Sequence, residues 1–252
     1  MFEAIFPFDL GKRLMGESGF RSGTDAPRSS RDWIALGLSM QQVSTDAVRR
    51  KLKFDYARVR NDSSSKTMDL FQYLLKQAQK AGMGSQELVQ ETANILQKHF
   101  RLRWVMIGLL SPVDGMYRYE AHAGMRPEAW ENQRKKVYKY EDFQLVTKNY
   151  NAGEISRQTR VYLEEDNPLN KEDVASVNRP VLMSLTRKAE DEAKENDFVD
   201  TLILGPRDEL LGWIEYSGTI TNNFPEPMAI RSLEVVASIL SSALGCKSWH
   251  AK

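Results

Sequence analysis

Between Thr201 and Leu244 the chain reads as a hairpin running straight into a long amphipathic helix, an order that few architectures accommodate. Two β-prone runs, Thr201 to Leu204 and Glu209 to Tyr216, flank Gly205-Pro-Arg-Asp208, which supplies turn chemistry. From Pro227 onward, Ala229, Leu233, Val236, Leu240 and Ala243 recur at helical spacing and leave one apolar stripe. A hairpin followed by such a helix closes a small α+β domain. No catalytic residue lies in this stretch.

The elements before it repeat the theme in reverse. Met68, Phe71, Leu75 and Ala78 predict one helix from about Thr67 to Ala81, ended by Gly82 and Gly84. A second begins with Ser85 as its cap and carries Val89, Ala93, Leu96 and Phe100 as its buried stripe. Trp104 to Leu110 is apolar on both faces and too short for another helix, so it reads as a central strand. Pro112 to Gly115 turns the chain, and Met116 to Ala121 alternates with Tyr117, Tyr119 and Ala121 on one face.

The middle is less regular. Pro127 to Tyr138 is expected to be helical, Ile155 to Leu163 a strand, Glu164 to Pro168 a loop, and Arg187 to Asn196 a charged helix or surface loop. Upstream, residues 1 to about 30 have scattered glycine and charge without a period, and read as an arm. Asn61-Asp-Ser-Ser-Ser65 is a polar break. The expected division is an arm with short basic helices over 1–62, a domain with a preceding helix over 66–246, and a tail over 247–252.

A domain of this size carries its own core. The net charge is +1, so no global field points to nucleic acid. Cys246 is the single cysteine, which excludes an internal disulfide and a cysteine zinc cage and fits a reducing cytoplasm. The N-terminus lacks the form of a signal peptide, and no apolar stretch is expected to approach the ~20 residues of a membrane span. A cytoplasmic location without a membrane partner is the expectation.

Amphipathic helix, hairpin, variable middle, hairpin, amphipathic helix is an order that resembles a GAF domain over about residues 85–244. The residues that carry the likeness are Leu96 to Leu110 with Asp114-Gly115, then Ala121-His-Ala-Gly124, which are similar to the family's opening and its Ala-x-x-Gly exit. Glu209-Leu-Leu-Gly-Trp-Ile-Glu-Tyr216 is similar to its penultimate strand, and Phe224-Pro-Glu226 with Ser232 to Ala237 to its closing helix. The resemblance implies an α+β, GAF/PAS-like fold. It has a central antiparallel sheet of five or six strands, N- and C-terminal helices on one face, and a helical or irregular N-terminal extension. It also implies a sensor or regulatory role. Asn222-Asn-Phe-Pro-Glu-Pro227 departs from the cyclic-nucleotide signature, and the cysteines of the bilin-binding and methionine-sulfoxide-reducing branches are missing from the middle region. The ligand and any cofactor therefore stay unnamed.

Chemistry-bearing motifs are few. His99, His122 and His250 show no metal-ligand spacing, no nucleophile elbow or phosphate loop occurs, and the acidic run Glu164, Glu165, Asp166, Glu172, Asp173 lacks the pattern of a calcium loop. No catalytic residue and no metal ligand is assigned. The middle aromatics Trp130, Tyr138, Tyr140, Phe143, Tyr150 and Tyr162, beside Arg157 and Arg160, suit a planar small molecule. In the family resembled, this region lies over the sheet face opposite the helices. The expected ligand site is His122, Trp130, Tyr138, Arg157 and Tyr162, with Arg157 or Arg160 meeting an anionic group.

Two interaction surfaces are also expected. Phe71, Leu75 and Ala78 have no obvious partner within the domain, which points to a homodimer through that helix and the C-terminal one. The basic stretch before Asn61 leaves an alternative open: Ile34 to Ser39 and Ser44 to Leu52 weakly resemble a helix-turn-helix, with Arg49, Arg50 and Lys53 meeting DNA. The leading reading is a non-catalytic regulator that binds a small molecule or a protein. A DNA-binding regulator and an enzyme of unrecognised type are the alternatives.

Overall fold

The computed structural model describes residues 44–60, 62–80, 82–143, 151–168, 173–183 and 186–249. The expected arm over 1–30, the first helix of the helix-turn-helix, Tyr150, Glu172 and His250 lie outside them. The chain divides into two units, 1–56 and 57–252. Helix α1, Thr45–Val59, crosses that division and has no buried residue. Ser44 caps it through the Ala47 amide, and Asp46–Arg49 and Lys51–Asp55 pair along its surface at 3.0 and 2.6 Å. Arg49, Arg50 and Lys53 are all exposed on it.

In the second unit, α2 runs Ser63–Gln79 and starts earlier than the polar break suggests. Asp62 accepts the Ser65 amide at 2.7 Å, so the break is itself the helix cap. Its buried residues are Leu70 and Leu74, and Phe71 and Ala78 also pack against the core. The expectation that Phe71, Leu75 and Ala78 lack an intradomain partner is corrected for two of the three. The stripe is rotated from the expected one because α2 packs on other helices rather than on the sheet. Helix α3, Ser85–His99, buries Leu88, Val89, Thr92, Ala93 and Leu96 as its period predicts, with Gly84 at the cap position instead of Ser85.

Among the described residues seven strands form one antiparallel sheet: β1 Val105–Leu110, β2 Tyr117–Ala123, β3 Val137–Tyr138, β4 Ala152–Glu154, β5 Thr159–Tyr162, β6 Phe198–Leu204 and β7 Leu210–Tyr216. Their order is β3-β2-β1-β7-β6-β5-β4, so β1 and β7 join the two expected hairpins at the centre. The middle region supplies the strands beyond the expected five or six. Helix α4 covers only Pro127–Gln133, and Tyr138 lies in β3, paired with Tyr117. The expected strand Ile155 to Leu163 is instead the turn and second arm of the β4–β5 hairpin. Residues 187–196 form a loop.

Helices α3 and α5 (Pro227–Trp249) cover one sheet face, and α2 lies over them. Leu233, Val236, Ala237 and Leu240 of α5 are buried against Val199, Ile203, Ile214 and Tyr216. Each such leucine removed from water contributes about 1.5–3 kcal/mol. Residues Pro227–Gly245 are long and apolar enough to cross a membrane by length and composition, which corrects the expectation that no stretch approaches that length. Alanine and serine fill the gaps between its larger apolar residues, and Arg231 and Glu234 are its only charges over that range. Here its apolar side is the floor of the domain core.

The second sheet face carries Trp104, Met106, Tyr117, Tyr119, Leu210 and Trp213. A bulge decides which tyrosines reach it. The β1–β2 register slips between Ile107 and Gly108, leaving Glu120 as the extra residue. Tyr117 and Tyr119 therefore join this face while Ala121 and Ala123 join the helix side. Strict alternation puts Tyr117, Tyr119 and Ala121 together, and the bulge separates them.

Candidate functional site

The face opposite the helices holds a cavity of ≈ 500 Å³. Its floor is the sheet: Trp104 just before β1, Met106 from β1, Tyr119 from β2, Asp200, Leu202 and Leu204 from β6, Leu210, Trp213 and Glu215 from β7. Tyr138 of β3 bounds one side, and Arg160 and Tyr162 of β5 the other. Met125, Lys136, Phe143, Val177 and Glu195 contribute to its cover. An apolar, aromatic concavity with a few convergent polar groups has the form of a small-molecule site.

Trp213 organises the floor. Tyr119, Tyr138 and Phe143 meet it edge-on at 5.1, 5.9 and 5.0 Å between ring centroids. The indole fits because its cross-strand neighbour is Gly108: a Cβ there would lie 2.3 Å from the ring. On the β5 side Tyr162 stacks on Phe198 at 4.6 Å.

Two acids interrupt this apolar surface. Asp200 and Glu215 are cross-strand partners on β6 and β7. Glu215 is buried, and the Tyr119 hydroxyl donates to its Oε2 at 2.6 Å. Oδ1 of Asp200 is covered and has no hydrogen-bond partner. Burial raises the Asp200 carboxyl well above its ordinary value, and the neighbouring Glu215 adds to the shift. Burial likewise raises Glu215, against the opposing hydrogen bond from Tyr119 and the charge of Lys136. The folded protein therefore holds protons that the unfolded chain releases. Stability should fall as pH rises from the ordinary carboxyl values of 3.8 and 4.5 through the raised ones. Asp200→Asn, permanently neutral, should flatten that slope in urea titrations across pH; an unchanged slope would mean that Asp200 ionises freely in the fold.

Of the five expected ligand residues, the structure brings Tyr138 and Tyr162 into the cavity wall. His122 and Trp130 stack on each other at 4.3 Å outside that wall. His122 is lowered by burial alone, which suits a packed neutral imidazole. Arg157 sits in the turn before β5, 75% exposed and paired with Asp208 at 2.6 Å. Arg160 is the arginine that lines the cavity, since β5 alternates its side chains. His99 bonds Thr67 at 3.0 Å and ties α3 to α2. Sequence reasoning missed Trp213, Asp200 and Glu215. The signal for the acids was a single carboxylate inside each of two otherwise uncharged strands, Phe198–Leu204 and Leu210–Tyr216.

On the helix side, β5 reaches α5 through a polar chain. Glu234 Oε1 accepts from Thr159 at 2.9 Å and from Ser156 at 2.5 Å, and Thr159 contacts Thr201, which contacts the Tyr216 hydroxyl. Residue 159 thus touches the C-terminal helix while residue 160 touches the cavity.

No family model matches the chain, and no curated protein matches it. Among solved structures, it is similar to the GAF domain of a phosphoenolpyruvate-protein phosphotransferase from Coxiella burnetii (15% identity, 74% of this chain and 97% of that one, TM-score 0.47). It is similar also to that of the Acinetobacter phosphotransferase (12% identity, 71% and 92%, TM-score 0.45). A third is the A. aeolicus nlh2 GAF domain in an inactive state (12% identity, 74% and 99%, TM-score 0.47). The solved structures to which this chain is similar are mostly GAF domains, and the likeness is one of fold.

Proposed function

We propose that this chain is a non-catalytic regulatory module that binds a small molecule over the sheet and signals through its terminal helices. The observation that carries the reading is the aromatic cavity of ≈ 500 Å³ on the face opposite α3 and α5. Strand β5 supplies the route outward. A ligand that shifts Arg160 or Tyr162 moves a strand whose next side chain holds Glu234 of α5. Only a difference in ligand affinity between two arrangements can move that equilibrium.

A native mass spectrum of the full chain isolated without denaturation should show a retained small-molecule adduct, absent from the cavity-filling variant Leu202→Trp. Ligand retention should also change amide exchange in α5 around Glu234, and Thr159→Val should bind without that change. An adduct that survives in Leu202→Trp would remove the cavity from the reading.

The partner expected to read α2 and α5 is a second copy. Met68 and Leu75 lie two turns apart on α2 and are exposed by 57% and 44%, unlike Phe71 and Ala78. Met68→Glu with Leu75→Glu should leave a folded monomer where the wild type sediments as a dimer. A wild-type monomer at micromolar concentration would end the dimer proposal.

A further inference from the structure

The acids on the cavity floor narrow the class of ligand. Asp200 and Glu215 face the same space from adjacent strands, and Oδ1 of Asp200 is covered there without a hydrogen-bond partner. The rings of Tyr119, Tyr138 and Trp213 stand beside them. Aromatic faces carry partial negative charge, so rings and carboxylates favour the same kind of occupant. Two cations are near: Arg160 on β5 is the cross-strand partner of Asp200, and Lys136 acts on Glu215. Each favours ionisation of its acid, yet burial outweighs both. Tyr119, Tyr138 and Tyr162, the other titratable side chains facing the pair, bring no cation. No cluster of three or more metal-ligating side chains occurs among the described residues, so a metal ion would be left under-coordinated here.

Building on the small-molecule reading of this cavity, we propose that its floor is a subsite for an organic cation. The occupant is an amidinium, guanidinium or protonated amine on a planar apolar body, hydrogen-bonded to Asp200 and Glu215 and lying against Trp213. Two N–H donors on one edge match two carboxylates presented side by side, and the body fills the aromatic floor. Burial favours the protonated carboxyls in the empty cavity and a docked cation favours the carboxylates, so docking should release protons to solvent and tighten as pH rises.

The test uses the full chain and three probes of one shape: benzamidinium, neutral benzamide and anionic benzoate, titrated calorimetrically. Benzamidinium should bind at least tenfold more tightly than benzamide, and benzoate should not bind. Heats measured in two buffers of different ionisation enthalpy should show proton release. Asp200→Asn with Glu215→Gln should abolish the preference for the cation while benzamide still binds, which shows the cavity intact. Equal or tighter binding of benzoate, or a preference that survives the double change, would overturn the cation subsite and leave the small-molecule reading standing. Absence of binding by all three probes would sink both.

Discussion

Asp197→Ala should be among the most destabilising single changes in this protein, costing about 3–5 kcal/mol, as expected when one partner of a buried ion pair is removed. Asp197 is fully buried at the entry to β6. Its Oδ1 accepts from the Glu164 amide at 2.9 Å and from Arg187 at 3.1 Å, and its Oδ2 from the Lys194 amide at 2.6 Å. Arg187 also pairs with Glu165 at 2.7 Å and lies over the Phe224 ring at 5.7 Å. Lys194 closes the cluster on Glu164 at 2.7 Å. Without the carboxylate, two amides lose their acceptor, and the mostly buried Arg187 guanidinium loses one of its partners and keeps Glu165. Urea unfolding of the wild type and variant measures the difference. Asp197→Asn, which keeps one acceptor oxygen, should fall between them. A loss below about 1 kcal/mol in Asp197→Ala would mean that water replaces the carboxylate and that the loop is not held by it.

Gly108→Ala should cost about 1–3 kcal/mol, the usual range for overpacking. The methyl group would stand 2.3 to 2.6 Å from Cη2, Cζ2 and Cζ3 of Trp213, closer than any carbon contact allows. Trp213 is 2% exposed and held by four rings, so it cannot swing aside without disturbing Tyr117, Tyr119, Tyr138 and Phe143. The cavity floor would shift with it. The cause can be isolated by repeating the change in a Trp213→Val background, where the clash is gone and most of the cost should vanish. The near-UV dichroism of the aromatic cluster should change in Gly108→Ala alone. An equal cost in both backgrounds would locate the strain in the β1 backbone instead.

Both expectations rest on contacts between segments far apart in sequence, and this marks the limit of what the chain discloses when read alone. Local patterns were legible where one physical constraint acted alone. The Val89-Ala93-Leu96 stripe of α3 and the Leu233-Val236-Leu240 stripe of α5 are buried as their period requires, because each helix meets the sheet along a single face. Trp104 to Leu110 is apolar on both sides because both sheet faces are covered, by helices on one and by the middle region on the other. The α+β class and the central place of the Trp104 to Leu110 strand followed from these periods.

Tertiary structure decided the rest. The face of α2 was misread because a helix packed on helices has no flat partner to fix its buried stripe, so Leu70 and Leu74 turn inward while Leu75 does not. The bulge at Glu120 carries no local residue signature, yet it sets Tyr119 beside Glu215 and Ala121 beneath the helices. The cavity joins residues from β1 to β7, and membership depends on strand register. Arg160 lines it while Arg157 does not, three positions away across the turn that enters β5. Asp200 and Glu215 are each a lone charge in an apolar run, and only antiparallel pairing makes them one site. Side-chain periodicity is a property of one segment and can be read from it; juxtaposition is a property of pairing, and the energy that selects it resides in the assembled sheet.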